Sequence, residues 1–233
     1  MREIKAIFFD CGGTLIEGQV PWHELFQLSL RLVRHPLPLK EMVTRYEAAV
    51  RRMTADKQAA ASFGTAKTAK APKLDTYVAQ EFGLSEGVLR NAVDEVLYDY
   101  PEARHLVCVD GVVEVLTALK SRGYRLGVIS NWSADLPQVL SLMSLKQHFE
   151  GIFASEAMGY AKPHAASFLI PLERLGLTPG QAAYVGDLYD VDCVGAREVG
   201  LTPVLYDPLR LHLHRDVPNI GHFSELLSLF LGV

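Results

Sequence analysis

The residues that could do chemistry in this sequence lie at the ends of short apolar segments. Asp10 ends the first segment and Ser130 ends the second. Asp187 and Asp192 follow the fourth segment, and Lys162 lies in the loop after the third. Because ligands of open parallel sheets bind outside the carboxyl ends of the strands, this spacing predicts that three carboxylates, a hydroxyl and an ammonium group meet in one crevice.

These groups are the ones that a metal ion and a phosphate require together. Carboxylate oxygens are hard ligands that suit Mg²⁺, and an ammonium group and backbone amides bind phosphate oxygens while a nucleophile stands in line with phosphorus. Each residue alone has an ordinary alternative, such as a helix cap for Asp10 or a solvated side chain for Lys162. Their occurrence together favours a magnesium and phosphate site.

The elements that must position these residues alternate between strands and helices. Apolar runs predict strands at residues 5–10, 125–130, 151–154, 182–186 and 202–206, and helical periodicity predicts helices at residues 112–120, 137–142, 164–175, 191–199 and 224–231. Such alternation indicates an α/β fold, in which a Rossmann-like parallel sheet carries helices on both faces.

An all-helical stretch interrupts this alternation after the first strand. Helices are predicted at residues 22–34, 39–53, 74–82 and 85–98, the last capped by Ser85, and residues 55–73 offer little to bury. The sequence therefore predicts a core domain made of residues 1–16 and 104–233, with an inserted helical cap domain at residues 17–103.

The composition excludes several classes of partner. A net charge of -4 over 233 residues gives no electrostatic reason to bind nucleic acid or an anionic membrane, and no apolar stretch approaches the roughly 20 residues that span a bilayer. Three widely spaced cysteines match no metal-ligand pattern and indicate a reducing compartment. We expect a cytoplasmic protein, a monomer or homodimer, that acts on a small phosphorylated molecule.

The four segments with these residues resemble, in order and spacing, the motifs of the haloacid dehalogenase superfamily. The stretch from Phe8 to Leu15, FFDCGGTL, resembles the family's first motif except at position 12. The resemblance implies that Asp10 is the nucleophile and forms an aspartyl-phosphate, which splits hydrolysis into two easier steps.

The resemblance also implies roles for the other residues. Lys162 would offset charge on the nucleophile and the phosphoryl group, and Asp187, Asp192, Asp10 and the Gly12 carbonyl would bind Mg²⁺. The substrate phosphate would be held by the residues of the first two motifs together with the lysine: Cys11, Gly12, Ser130, Asn131 and Lys162.

Gly12 departs from the family's phosphatases, in which an acid–base aspartate stands two residues after the nucleophile. Such a group contributes about 10²- to 10⁴-fold in rate. The departure leaves several functions open: a phosphatase that is slow, selective for good leaving groups, or assisted by a residue such as His23, Glu24 or His164; a dehalogenase; a phosphonate-cleaving enzyme with a cap lysine (Lys57, Lys67, Lys70 or Lys73); or a binding module without turnover.

Two further expectations follow from the sequence. Restoring the acid in Gly12→Asp should raise the turnover of a phosphatase. The histidines of the segment Leu211-His212-Leu213-His214 alternate in a late loop and are interpreted as surface or oligomer contacts outside the site.

Overall fold

The computed structural model describes residues 4–56, 74–212 and 216–232. Strands in chain order are β1 Ala6–Phe9, β2 Ile16–Gly18, β3 Leu106–Cys108, β4 Arg125–Ser130, β5 Gly151–Ala154, β6 Ala182–Gly186, β7 Thr202–Tyr206 and β8 Asn219–Ile220. Helices are α1 Trp22–Leu32, α2 Leu39–Ala55, α3 Leu74–Glu81, α4 Glu86–Asp99, α5 Val112–Ser121, α6 Leu136–Leu142, α7 Ser155–Met158, α8 Ala165–Arg174, α9 Val194–Glu198 and α10 Glu225–Leu231.

Six of the strands form one parallel sheet in the order β5-β4-β1-β6-β7-β8. The first strand of the chain lies in the middle, with β4 on one side and β6 on the other. The connections therefore leave β1 in opposite directions, which is the place where parallel sheets open a crevice for ligands. The predicted α/β fold is confirmed, and every predicted strand is present.

Alternating side chains of β1 supply both hydrophobic layers of the sheet. Ile7 and Phe9 pack with α5 and α10, whereas Ala6 and Phe8 pack with α8 and α9. All four side chains are buried. The first strand is apolar throughout because successive side chains of a strand point to opposite faces and both faces are covered by helices.

The four predicted helices after the first strand are present as α1 to α4. They surround a hydrophobic cluster of their own, to which each helix contributes at least one buried side chain, among them Leu30, Met42, Val78 and Leu89. Ser85 caps α4, since its hydroxyl accepts a hydrogen bond from the Val88 amide at 3.3 Å. We call α1 to α4 the helical insert.

The chain enters and leaves the helical insert through a small antiparallel sheet. β2 pairs with β3, with Ile16 opposite Cys108 and Gly18 opposite Leu106. Sequence reasoning missed this pairing because each strand has only three residues, too few to show a periodicity. The predicted boundary at residue 17 falls inside β2, and the division into core and cap remains a prediction.

Two other elements were not predicted, and a third begins differently from the prediction. The strand β8 and the four-residue helix α7 were missed because both are short. The helix predicted at residues 191–199 begins with a wide turn over Tyr189–Cys193 and becomes regular only in α9. Among the described residues, no helix is both long enough and apolar enough to cross a lipid bilayer.

The interpretation of His212 as a surface residue is wrong. Its imidazole is only 14% exposed and lies 2.6 Å from Glu47 of α2 and 3.3 Å from Asp207, which follows β7. It thus bridges the helical insert and the sheet, a contact that no local pattern could reveal. His214 lies outside the described residues.

His212 should make the stability of the protein depend on pH. Hydrogen bonds to Asp207 and Glu47 raise the pKa of His212 to about 9. Because the folded-state pKa is above the unfolded value of 6.5, this stabilisation is complete below pH 6.5 and is lost as the pH rises through 9. The difference between 6.5 and 9 corresponds to about 3.4 kcal/mol. Because solvent screens a partly exposed ion pair, we expect a loss of about 2 kcal/mol in the free energy of unfolding, measured by urea denaturation.

The matched control is His212→Gln, which keeps a polar side chain that does not titrate. Its free energy of unfolding should change less over the same pH range, because the other titrating groups remain. Equal pH profiles for the two proteins would contradict the assigned contact.

Candidate active site

A buried lysine stands at the centre of the crevice beside β1. Lys162 is 1% exposed, and its Nζ lies 2.7 Å from Asp10 Oδ1 and 2.6 Å from Asp192 Oδ1. It also donates a hydrogen bond to the Tyr184 hydroxyl at 2.7 Å. Burial alone would lower the pKa of Lys162, but the charges of Asp10 and Asp192 raise it above its ordinary value. The lysine therefore stays protonated.

Asp10 sits where β1 ends. Its backbone amide donates to the carbonyl of Val185 in β6 at 2.8 Å. This hydrogen bond holds Asp10 next to β6. The residue is 7% exposed. A carboxylate held next to a cation in this way can act as a nucleophile.

Asp187 and Asp192 approach Asp10 from the loop after β6. One oxygen from each of the three carboxylates lies within 4.8 Å of the other two. Burial raises the pKa of Asp187 well above its ordinary value, and the charges of Asp10 and Asp192 raise it further. Burial likewise raises the pKa of Asp192 to about 6, despite the opposing charge of Lys162. The three carboxylates therefore repel one another.

Two glycines allow these carboxylates to come so close. A Cβ on Gly13 would lie 2.5 Å from Asp187 Oδ2, and Gly13 also has a φ of +77°, which side chains rarely adopt. A Cβ on Gly186 would collide with the Asp192 side chain. Thr14 donates a hydrogen bond to Asp187 at 3.1 Å, and the Leu188 amide donates to Asp192 at 2.9 Å.

The loops after β1 and β4 leave several hydrogen-bond donors without a partner. The backbone amides of Cys11, Gly12 and Asn131 donate to no acceptor in the described parts of the chain. Ser130, at the end of β4, is largely buried beside these amides. Unpaired donors beside a lysine are suited to an anion such as a phosphoryl group.

A cavity of about 80 Å³ extends from Asp187 to the helical insert. Its wall contains the carboxylates of Asp187, Glu17, Glu47 and Asp207. No lysine or arginine of the described residues lines it, but His212 does. The pKa of His212 is raised to about 9, so its imidazole is positively charged near neutral pH and pairs with Glu47 and Asp207. The cavity volume equals that of a few water molecules, so the cavity holds only a small group.

The sequence model of the haloacid dehalogenase-like hydrolase family matches residues 4–200. The protein belongs to this family. The match covers the loop with Asp10 and the loops with Ser130, Lys162, Asp187 and Asp192, and confirms the resemblance inferred from the four motifs.

Curated relatives of this haloacid dehalogenase-like hydrolase carry two different names. The human haloacid dehalogenase-like hydrolase domain-containing protein 3 is 33% identical over 136 residues, which are 53% of this chain and 53% of the relative. The glyceraldehyde 3-phosphate phosphatase of Pyrococcus furiosus is 26% identical over 213 residues, 88% of this chain and 82% of the relative. Thus the match spans about half the length of the domain-containing protein 3 relatives.

Solved structures agree with the fold of this hydrolase over nearly the whole chain. A HAD phosphatase from Thermococcus onnurineus has a TM-score of 0.60 at 22% identity, and the match covers 97% of each chain. The putative HAD-hydrolase YfnB from Bacillus subtilis has a TM-score of 0.62 at 19% identity and covers 99% of this chain and 100% of that one. At these identities the likeness concerns the fold alone.

The acidic cluster of this hydrolase fits a divalent cation. Asp10, Asp187 and Asp192 carry three negative charges when ionised, and Lys162 supplies one positive charge, which leaves an excess of two. Carboxylate oxygens are the ligands that hard cations such as Mg²⁺ prefer. The Gly12 carbonyl, predicted as a further ligand, accepts no hydrogen bond from the residues described.

Two of the predicted substrate-binding residues have side chains that are engaged elsewhere. The Cys11 side chain is buried in the hydrophobic core, and burial raises the pKa of its thiol. The Asn131 amide holds the backbone of Lys162 through two hydrogen bonds of 2.7 and 3.0 Å. Only the backbone amides of these two residues are left for a ligand.

The residues considered as substitutes for the missing acid–base group lie in different places. His23 lines the cavity together with Asp187, and burial lowers its pKa, which favours the neutral imidazole. Glu24 lies in the first turn of α1 and is not part of the cavity wall. His164 caps α8 by accepting from the Ala166 amide at 3.1 Å. The lysines at 57, 67, 70 and 73 lie outside the described residues.

Sequence reasoning missed three residues of the site. Tyr184 was hidden within an apolar strand, although it is the one side chain of that run with a polar end. Its hydroxyl donates to the Ile129 carbonyl at 2.7 Å and accepts from Lys162. Glu17 lines the cavity, and Trp132 contacts Gly12. Neither gave a sequence signal, because both contacts depend on packing.

Mg²⁺ should stabilise the folded protein. The ion would offset the repulsion among the three carboxylates, and at about 100 times its dissociation constant it should add about 2.7 kcal/mol. Thermal unfolding with and without Mg²⁺ measures the effect, which Asp187→Asn should abolish.

Asp190→Asn is the matched control. Asp190 lies close in sequence but faces Arg51 of α2, with 3.9 Å between the charged groups, and is not part of the carboxylate cluster. This variant should keep the stabilisation by Mg²⁺. Equal losses in both variants would mean that Mg²⁺ acts through general charge screening.

Proposed function

We propose that this protein is a magnesium-dependent phosphatase that acts on a small phosphorylated molecule through an aspartyl-phosphate. The proposal rests above all on one observation: the Asp10 carboxylate lies 2.7 Å from the Lys162 ammonium, in one cluster with Asp187 and Asp192. A nucleophile, a buried cation and two metal ligands are the parts that phosphoryl transfer requires.

The donors around Asp10 would hold the phosphoryl group. The Ser130 hydroxyl, the Lys162 ammonium and the amides of Cys11, Gly12 and Asn131 would bind its oxygens, so that Asp10 attacks phosphorus in line with the leaving group. Bound Mg²⁺ would supply additional positive charge. The phosphatase names of the Pyrococcus relatives support this assignment.

The alternatives are less well supported. A dehalogenase would attack carbon without a metal ion and would have no need of the crowded carboxylates at Asp187 and Asp192. A binding module would have no need of a carboxylate nucleophile. The helical insert, proposed as the cap, would close over the substrate and exclude water, as lids of this kind do.

Replacing the nucleophile should abolish turnover. In Asp10→Asn the amide cannot attack phosphorus, so we expect Mg²⁺-dependent release of phosphate from an aryl or acyl phosphate to fall by about 10³-fold or more. Asp190→Asn, the same chemical change outside the cluster, should retain activity. Similar rates for Asp10→Asn and wild type would contradict the proposal.

The acidic cavity should select against substrates with a second negative charge. Glu17 lines it and has no partner among the described residues. A substrate carboxylate at about 6 Å would lose about 2 to 3 kcal/mol at an effective dielectric constant of about 20. We therefore expect a higher kcat/KM for ethanolamine phosphate than for phosphoglycolate, which is of similar size. Glyceraldehyde 3-phosphate, named in the relatives, also has an uncharged leaving group.

Glu17→Gln tests the electrostatic origin of this preference. Burial raises the pKa of Glu17, so the assays are run at mildly alkaline pH, where the carboxylate is ionised. The variant should reduce the ratio of the two kcat/KM values. An unchanged ratio, or a wild-type preference for phosphoglycolate, would contradict the role of the cavity charge.

A further inference from the structure

Gly12 faces an indole ring. A Cβ on Gly12 would lie 3.2 Å from Trp132 Cζ3, closer than the roughly 3.5 to 4.0 Å of a relaxed carbon contact. Trp132 is the only residue within 4 Å of that position, among those the structure describes. A side chain at position 12 would therefore begin in tight contact with this ring, and the ring would have to shift by a few tenths of an ångström.

The backbone gives no other reason for a glycine at position 12. Gly13 has a φ of +77°, which favours glycine, but Gly12 is not among the residues with positive φ. A larger residue could adopt the conformation of Gly12. The constraint at this position comes from the neighbouring ring.

Three hydrogen bonds hold the backbone of Trp132, and its side chain is partly buried. Its carbonyl accepts hydrogen bonds from the Ser155 hydroxyl and the Glu156 amide, both at 3.2 Å, and its amide donates to the Ser130 carbonyl at 2.9 Å. The side chain packs against the main hydrophobic cluster. Because close-packed side chains have few alternative positions, a carboxylate at position 12 could not displace the ring without cost.

We propose that Trp132 occupies the space of an acid–base side chain at position 12, and that the protein therefore accumulates phosphorylated Asp10. This inference rests on the proposed phosphatase function. Trp132 acts through position 12, since its ring limits which side chain that position can hold.

The first step needs no proton donor when the leaving group is good. Asp10 attacks phosphorus, a new P–O bond forms to its carboxylate oxygen, and the bond to the leaving group breaks with its electron pair on the departing oxygen. The carboxylate of an acyl phosphate or the phenolate of an aryl phosphate can leave as an anion. An alkyl alcohol needs a proton at this moment, so its phosphate esters should react slowly.

The second step lacks a base. A water oxygen must attack phosphorus while the P–O bond to Asp10 breaks and the carboxylate is regenerated, and the proton of the water must pass to solvent or to the phosphate product. A positioned base would accelerate this transfer by about 10²- to 10⁴-fold. Without it, the aspartyl-phosphate forms faster than it is hydrolysed when the donor is activated.

The experiment mixes wild-type protein with Mg²⁺ and excess acetyl phosphate or p-nitrophenyl phosphate, quenches with acid and measures the intact mass. We expect the mass of one phosphoryl group on most molecules, absent in Asp10→Asn. Release of p-nitrophenol should show a rapid burst of one equivalent, followed by a slow steady rate.

Double replacement tests whether the ring blocks position 12. Gly12→Asp combined with Trp132→Leu should shorten the lifetime of phosphorylated Asp10 by about 10²-fold, whereas each single change should alter it only a few-fold. Leucine keeps an apolar side chain against the core, and stabilisation by Mg²⁺ checks that the variants fold. The sequence predicted that Gly12→Asp alone would raise turnover. Because of the contact with Trp132, we expect only a small effect from this single change.

The outcomes separate this inference from the function on which it rests. Turnover without a trapped phosphoenzyme, or full acceleration by Gly12→Asp alone, would overturn the role of Trp132 and leave the phosphatase standing. Neither turnover nor phosphorylation with any donor would overturn both. A burst with a strongly non-additive effect of the two replacements would support both.

Discussion

The ion pairs of a buried lysine are the interaction on which the site depends. An ammonium group at 1% exposure is costly to remove from water, and Lys162 is stabilised there only because Asp10 and Asp192 lie within 2.7 Å of it. The dependence is mutual, since the same cation lets two carboxylates approach each other in the interior. Removing one partner would leave the others with an uncompensated buried charge.

The sheet provides the framework for this charge cluster. β1 lies between β4 and β6, so the loops that follow these strands open at one edge and bring their side chains together. Tyr184 of β6 connects the parts, because its hydroxyl accepts from Lys162 and donates to the Ile129 carbonyl of β4. Asn131 holds the lysine's backbone from the other side. The position of the ammonium thus depends on three segments distant in sequence.

The helical insert forms part of the wall of the cavity next to the site. It joins the sheet through the His212 bridge between Glu47 and Asp207, and it closes a small cavity whose wall is acidic. Trp132 lies beside Gly12, with its ring 3.2 Å from the place of a Cβ at that position.

Much of the fold was accessible from sequence because it depends on local patterns. Apolar runs located five strands of the main sheet, helical periodicity located the helical insert, and glycines and carboxylates at strand ends indicated where the loops meet. The residues Asp10, Ser130, Lys162 and Asp187 could be singled out on this basis. The short strands β2, β3 and β8 could not, since a periodicity needs more residues than they have.

Only the tertiary structure decided which side chains pair. The sequence determined that a carboxylate, a lysine and further acids follow the strands of a parallel sheet, because chain direction alone brings those loops to one edge. It did not determine that Lys162 contacts Asp192 as well as Asp10, that Asn131 serves the backbone of Lys162, that His212 contacts the helical insert, or that Trp132 faces Gly12. Such contacts join segments far apart in the chain, and their distances depend on how whole elements pack, which no local pattern encodes.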